Sequence, residues 1–203
     1  MKNLLEKKRI AANKLLLFFQ KEQPLYDDLQ KLMFMKTFKY SIEPASSGRE
    51  KQSDSLELLL RRECEGFDGQ VTAFFDDALP FCKLAIMEEV FTRLCHHLRC
   101  NVIATVQNLF DPSLRVISRN SHYLILFRNP RDSAQLRHLA YQIYPSKERA
   151  RALITTVKSI TAEPYSAVML DFKPDTPDQE RVKSRICDDD VYVHCFEDEL
   201  NQC

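Results

Sequence analysis

Five short apolar runs, set between segments of helical period, constrain this chain more than any other feature. They are LLLFF at 15–19, QVTAFF at 70–75, NVIATV at 101–106, HYLILF at 122–127 and YSAVMLDF at 165–172. A strand that is apolar on both sides must be covered on both sides, and parallel strands need long crossovers between them. The intervening segments supply helices: PLYDDLQKLM at 24–33, opened by a proline, DSLELLLRREC at 54–64, FCKLAIMEEVFTRLCHHL at 81–98, DSAQLRHLAYQIY at 132–144 and KERARALITTVKSI at 147–160. In the third of these, Leu84, Met87, Phe91, Leu94 and Leu98 share one face. In the fourth, Asp132 and Gln135 have capping-box spacing. TFKYSI at 37–42 alternates like a further strand. The pattern predicts an α/β fold, a three-layer sandwich around a mostly parallel sheet. The polar stretch EPASSGREKQSD, 43–54, reads as a loop or insertion, and the end of the chain as an acidic tail with a short strand at VYVHC. The simplest division is a lead-in at 1–14, one core at 15–175 and a tail at 176–203.

With 44% hydrophobic and 29% charged residues over 203 positions, the chain can bury a core, which excludes a fully disordered protein. Net charge is zero but uneven. Between Pro112 and Arg151 eight basic residues face two acids, a balance compatible with a polyanionic partner. From Asp188 onward there are six acids and no Lys or Arg. The seven cysteines are irregularly spaced, and no secretory signal is legible before them. Reduced thiols in an intracellular, cytoplasmic or nuclear protein are expected. No apolar stretch approaches the roughly 20 residues that span a bilayer, so no membrane partner is expected.

In an open parallel sheet, function gathers at the carboxyl ends of the strands. Three apolar runs end in chemistry: Asp76-Asp77, Gln107-Asn108 and Arg128-Asn129. Acids hold Mg²⁺ and orient water, an amide senses a terminal phosphate, and a guanidinium stabilises charge on a transferring phosphoryl group. The set reads as phosphoryl transfer; the bland alternative is polar strand ends with no site.

Several stretches together carry a resemblance: VTAFFDDAL, FTRLCHHLRCNVIATVQNLF, ISRNSHYLILFRNPRDSAQLRHLAYQIYP and AEPYSAVMLDFKPDTPDQERVKSRI, with LLLFFQKEQPLYDDLQ upstream. In this order they resemble the FtsK/HerA-type genome-packaging ATPases of large DNA viruses and virus-like transposons, over about 15–187. The resemblance implies a P-loop NTPase-like core, Mg-ATP as cofactor, double-stranded DNA as the translocated partner, and a homo-oligomer or an intact homologous subunit as assembly partner. It makes FFDD the Walker B strand. Asp76 then holds the water shell of Mg²⁺ and Asp77 takes the place of the acid that polarises the attacking water. Gln107 becomes the sensor, with Asn108 beside it at the nucleotide. Asn120 and Arg131 lie in family-like motifs. Arg131 is the choice for an arginine acting across a subunit interface, with Arg119 and Arg128 as rivals.

One departure is large. The family's G-x-x-x-x-G-K-[ST] loop belongs ahead of Leu15, yet residues 1–30 contain no glycine, and Lys14 and Lys21 have no loop around them. The only glycines are at 48, 66 and 69. The chain therefore reads as a fragment, one piece of a split gene or a degenerate copy, with weak or no ATPase activity alone. The alternative is a non-catalytic DNA-binding or subunit-interaction module derived from such an ATPase. Without the strand that leads into the P-loop, neighbouring strands are expected to have open edges, which invite association.

Other chemistries compete for some of these residues. CHHLRC places Cys95, His96, His97 and Cys100 close together, as in a zinc site. The favoured reading is structural, because Cys95 lies by the apolar stripe and helical geometry turns His96 and His97 apart. A nucleophile pair of Cys82 or Cys95 with His122 has no support in spacing. A nuclease built on Asp76 and Asp77 would need another acid, for which Asp171 at the end of the last run is the candidate.

Overall fold

The computed structural model describes residues 12–32, 34–39, 46–131 and 133–196. The chain is α/β and forms two compact units, Met1–Asn120 and Ser121–Cys203, each with its own sheet.

The first unit holds a four-stranded parallel sheet in the order β2-β1-β3-β4, made of β1 (Lys14–Phe19), β2 (Phe34–Lys39), β3 (Val71–Phe75) and β4 (Cys100–Ala104). Every residue of β1 and β3 is buried, which explains their mostly apolar composition, with Lys14 and Thr72 the buried polar members. Leu15, Leu17 and Phe19 pack on one face with Tyr26 and Leu29 of helix α1 (Leu25–Leu32). Leu16 and Phe18 face the other way. They join Leu56 and Leu60 of α2 (Ser46–Cys64), Ile86 and Met87 of α3 (Ala85–Glu89), and Ile117 of α5 (Arg115–Asn120). Phe18 stacks between Phe38 and Phe75, at 5.1 and 4.6 Å. The path after α3 runs through a π turn, Val90–Leu94, into one last turn, α4 (Cys95–His97).

The second unit holds an antiparallel sheet in the order β5-β6-β7-β8: β5 (Tyr123–Phe127), β6 (Ala167–Asp171), β7 (Val182–Ser184) and β8 (Tyr192–Val193). Helices α6 (Ser133–Ile143) and α7 (Lys147–Ile160) pack on one another, and α7 packs on β6. Ser146 caps α7 by accepting from the Arg149 N–H at 3.4 Å.

Several sequence expectations are corrected. The sheet is divided, and HYLILF is not a buried strand: β5 is an antiparallel edge strand whose residues are alternately exposed and half-buried. The covered face accounts for Leu124 and Leu126, while Tyr123, Ile125 and Phe127 lie on the other face. The strand expected at 37–42 begins earlier, at Phe34, in the register that stacks Phe38 on Phe18, and residues 40–42 lie outside the described residues. Residues 46–54 are helical and continuous with the segment that follows, in keeping with the helix formers Arg49, Glu50, Lys51 and Gln52. The single helix expected over 81–98 is broken, beginning as a 3-10 turn at Phe81–Lys83 before extended Leu84. Part of the acidic tail is built into the sheet as β7 and β8, because Val182 and Ile186 are buried. The cap at Asp132, residues 43–45, the last acids and most of the 1–14 lead-in lie outside the described residues. No described helix is long and apolar enough to cross a membrane.

At the amino ends of the parallel strands lies an ion cluster centred on buried Lys14 and Glu63. The Glu63 carboxylate accepts from Lys14 Nζ at 2.9 Å and Lys36 Nζ at 2.7 Å, and Lys14 Nζ also donates to the Glu63 carbonyl at 2.7 Å. Burial alone would raise the Glu63 pKa, but the two lysines outweigh it and hold the value at about 2. A depressed carboxyl pKa stabilises the fold above the ordinary glutamate value of 4.5, and that stability is lost as pH falls from there towards about 2. Glu63→Gln leaves buried Lys14 without its ion pair, so it is expected to cost about 3–5 kcal/mol at neutral pH. Urea unfolding across the acid range should show that the variant loses less further stability below the glutamate value than the parent does; an equal acid loss in both would contradict this.

Candidate functional site

The register of the parallel sheet sets the first feature of the site. Phe75 of β3 lies beside Ala104 of β4, so the two chains leave the sheet side by side, with Asp76 next to Thr105. Backbone bonds hold the exit: Thr105 N–H donates to Phe75 O at 3.0 Å, Ala78 N–H to Thr105 O at 2.7 Å, and Asp76 N–H to Phe18 O at 2.9 Å.

The Asp76 carboxylate is clasped from three elements. Thr105 Oγ1 donates to Oδ1 at 2.8 Å. Tyr26 OH, from the first turn of α1, donates to Oδ2 at 2.5 Å, and Gln23 Nε2 to the same oxygen at 2.9 Å. The Thr105 hydroxyl also accepts the Asp77 N–H at 2.9 Å, so one hydroxyl fixes both acids. Asp77 has a left-handed backbone, φ 48°, a conformation that aspartate tolerates better than most residues, and its side chain is exposed. Burial, then the bond to Asp76 and the charges of both acids, push the Tyr26 hydroxyl above the ordinary tyrosine range. Tyr26 therefore stays protonated and remains a donor.

A carboxylate offers about four lone-pair positions. Three on Asp76 accept protein donors, which leaves one on Oδ1. That arrangement fits a water of a hydrated Mg²⁺, an ion that keeps several of its waters, better than direct bidentate ligation. Among the described residues, no three His, Cys, Asp or Glu side chains gather as a metal cage.

The other expected site residues are dispersed. Gln107 is exposed, two residues past Thr105 on the same exit from β4. Asn108 spends its side-chain oxygen on the Phe110 N–H at 3.0 Å, opening a turn. Arg119 and Asn120 end α5, both exposed, with Asn120 Nδ2 bonded back to Val116 O at 2.8 Å. Arg128 and Arg131 follow β5 in the second unit and are both exposed. Arg128 Nη1 donates to Ala162 O at 3.4 Å, and the Arg131 N–H donates to Asn129 Oδ1 at 3.1 Å. Lys14 is buried on Glu63, away from any phosphate role.

The rival chemistries find little. His96 and His97 are exposed, while Cys100 is buried and its thiol bonds the Cys64 thiol, which with burial pushes Cys100 upward. Burial and Asp111 push the Cys82 thiol to about 12, so it stays protonated at neutral pH and is a poor nucleophile. Asp171 is buried; Lys183 Nζ at 2.7 Å and the Lys173 N–H at 3.1 Å more than offset that burial and hold its carboxyl below the usual range.

Three members of the site escaped the sequence reading: Gln23, Tyr26 and Thr105. Tyr26 reads as part of the apolar face of its helix, and nothing in the spacing marks where its hydroxyl reaches. Thr105 was absorbed into the apolar run 101–106, whereas the strand ends at Ala104. A polar β-branched residue so near a strand's end was the available signal.

Tyr26→Phe removes a donor to a charged acceptor, and the expected loss of stability is about 1.5–3 kcal/mol. In an Asp76→Asn background the same change should cost less, with a coupling on the order of 1 kcal/mol in a double-mutant cycle. Asp77→Asn, at an exposed position, should stay within about 0.5 kcal/mol of the parent. Additive effects of the Tyr26 and Asp76 changes in urea unfolding would break the described clasp. No family model, curated protein or solved structure matches the chain.

Proposed function

We propose that the first unit carries the carboxylate half of a phosphoryl-transfer site, and that the chain is a fragment or degenerate copy of a DNA-translocating, genome-packaging ATPase. The observation that supports this reading is the Asp76-Asp77 pair at the end of a buried parallel strand, fixed by the Thr105 hydroxyl of the neighbouring strand. Asp76, oriented through both oxygens, holds a metal-bound water at its remaining lone pair. Asp77, exposed and tied only through its backbone, orients the attacking water. Gln107, beyond Thr105, senses the terminal phosphate, and Asn108 borders the nucleotide. Mg-ATP supplies the phosphoryl group and the cation that neutralises its charge. Arg131 is the proposed trans-acting arginine, with Arg119 and Arg128 as alternatives. Double-stranded DNA is the proposed polymer, in an intracellular setting, with a homologous subunit completing the assembly.

A second reading has its own support. Lys14 is committed to Glu63, and no G-x-x-x-x-G-K-[ST] occurs in the 203 residues, so this chain alone has no phosphate-gripping loop. It would then serve as a non-catalytic module that binds DNA or a homologous subunit.

The test is to extend the chain upstream in its genomic frame and measure Mg-dependent ATP hydrolysis with and without duplex DNA. The packaging reading expects a P-loop in the extension and DNA-stimulated turnover. Asp77→Asn should then lower kcat about a hundredfold or more while nucleotide still binds. An extension without that loop, or turnover indifferent to Asp76 and Asp77, would overturn the catalytic reading and leave the module.

A further inference from the structure

The antiparallel sheet of the second unit has one face buried in the core, and on the other face the β5 residues are exposed while Asp171 of β6 is buried. Val168, Leu170 and Val182 are buried on the covered face, with Leu124 and Leu126 half-buried in register beside them. Tyr123, Ile125 and Phe127 lie on the opposite face, 42%, 36% and 64% exposed, with Met169, Lys183 and Val193 in register across the sheet. An antiparallel strand that faces water on one side ordinarily alternates to polar residues there, and β5 does not. The charges on this face, Asp171 and Lys183, neutralise each other at 2.7 Å.

The backbone of β5 is open in the same place. Phe172 N–H donates to His122 O at 2.7 Å, so residues 122, 124 and 126 turn their backbone groups towards β6. Tyr123, Ile125 and Phe127 turn theirs outward, and no strand pairs with that row among the described residues. Within the strand three of the usual edge guards are missing: residues 123–127 include no charge and no proline, and their register with β6 is unbroken by a bulge.

We infer that β5 is a self-association edge that pairs antiparallel with β5 of a second copy, about a two-fold axis at Ile125. The strand is its own complement. Overlap of all five residues sets Ile125 opposite the second copy's Ile125, Leu124 opposite its Leu126, and Tyr123 opposite its Phe127. Rings meet rings and aliphatic side chains meet aliphatic ones, which are favourable cross-strand pairs, and no like charges meet within the strand. The outward backbone groups of Tyr123, Ile125 and Phe127 are the ones this register uses. A two-fold pairing closes at two copies, so the open edge is satisfied without growth into a fibre. Residues 123–127 carry no charge and only apolar or aromatic side chains, with Lys173 Nζ 5.3 Å from the Tyr123 ring centroid at one end, which favours a second copy over nucleic acid. The inference does not depend on the nucleotide reading.

Sedimentation equilibrium of the purified chain at several concentrations is the test. A reversible dimer is expected. Ile125→Lys, which sets two like charges on the axis, should weaken it at least about tenfold, whereas Tyr192→Lys on β8, the other edge, should leave it unchanged. Both positions are exposed, and circular dichroism should show both variants folded. Facing residues of a hydrogen-bonded antiparallel pair lie about 5.5 Å apart at Cα, within disulfide range. Ile125→Cys treated with glutathione disulfide should therefore give a covalent dimer joined at position 125, located by peptide mass spectrometry. A monomer at all concentrations, a dimer indifferent to Ile125→Lys, or one broken by Tyr192→Lys would overturn the inference. Binding of an oligonucleotide that Ile125→Lys strengthens, with no dimer, would assign the face to nucleic acid instead.

Discussion

The parallel pairing of β1 with β3, and of β3 with β4, is the constraint on which the first unit depends. β1 is buried on both faces, so its apolar residues must divide between two helical layers, and its neighbours must be parallel strands with crossovers. Once that register is set, the exits of β3 and β4 are adjacent, and Thr105 has no choice but to meet Asp76. The helix that covers β1 then brings Tyr26 to the same carboxylate. The acids are thus positioned by the core packing of three strands, and the polar site inherits its rigidity from an apolar one.

The two ends of this sheet spend their charges differently. At the amino ends, buried Lys14 and Glu63, joined by the exposed side chains of Lys36 and Arg62, form an ion cluster that serves stability. At the carboxyl ends, Asp76 is held but not saturated, and Asp77 is left exposed. A group that is oriented by its neighbours and still has capacity to bind is compatible with the proposed chemistry on a ligand. A merely polar strand end would not need a buried tyrosine to hold it.

Much of this was legible from residues alone. The runs at 15–19 and 70–75 gave the buried parallel strands because strands covered on both faces are mostly apolar, and the run at 101–106 gave the parallel strand at their edge. Asp76 and Asp77 stood out for the same reason, as charge at the abrupt end of such a run. What was not legible depended on partners distant in sequence. Tyr26 and Asp76 are brought together only by the fold. The run at 122–127 has the composition of a buried strand, but its neighbours make it an antiparallel edge, and composition does not reveal which strand lies beside it. Helix formation over 46–54 was obscured by polarity, because an exposed helical turn and a polar loop use similar residues.

Asp76, held by Tyr26, Gln23 and Thr105, is the proposed site for a hydrated divalent cation. The most direct measurement is a titration of isotopically labelled chain with Mn²⁺, following paramagnetic broadening of backbone amide signals. The account predicts broadening centred on Asp76, Asp77 and Thr105, reversed by excess Mg²⁺ and lost in Asp76→Asn. Broadening confined to other acids, or unchanged in Asp76→Asn, would contradict it and leave the clasped carboxylate as a structural element alone.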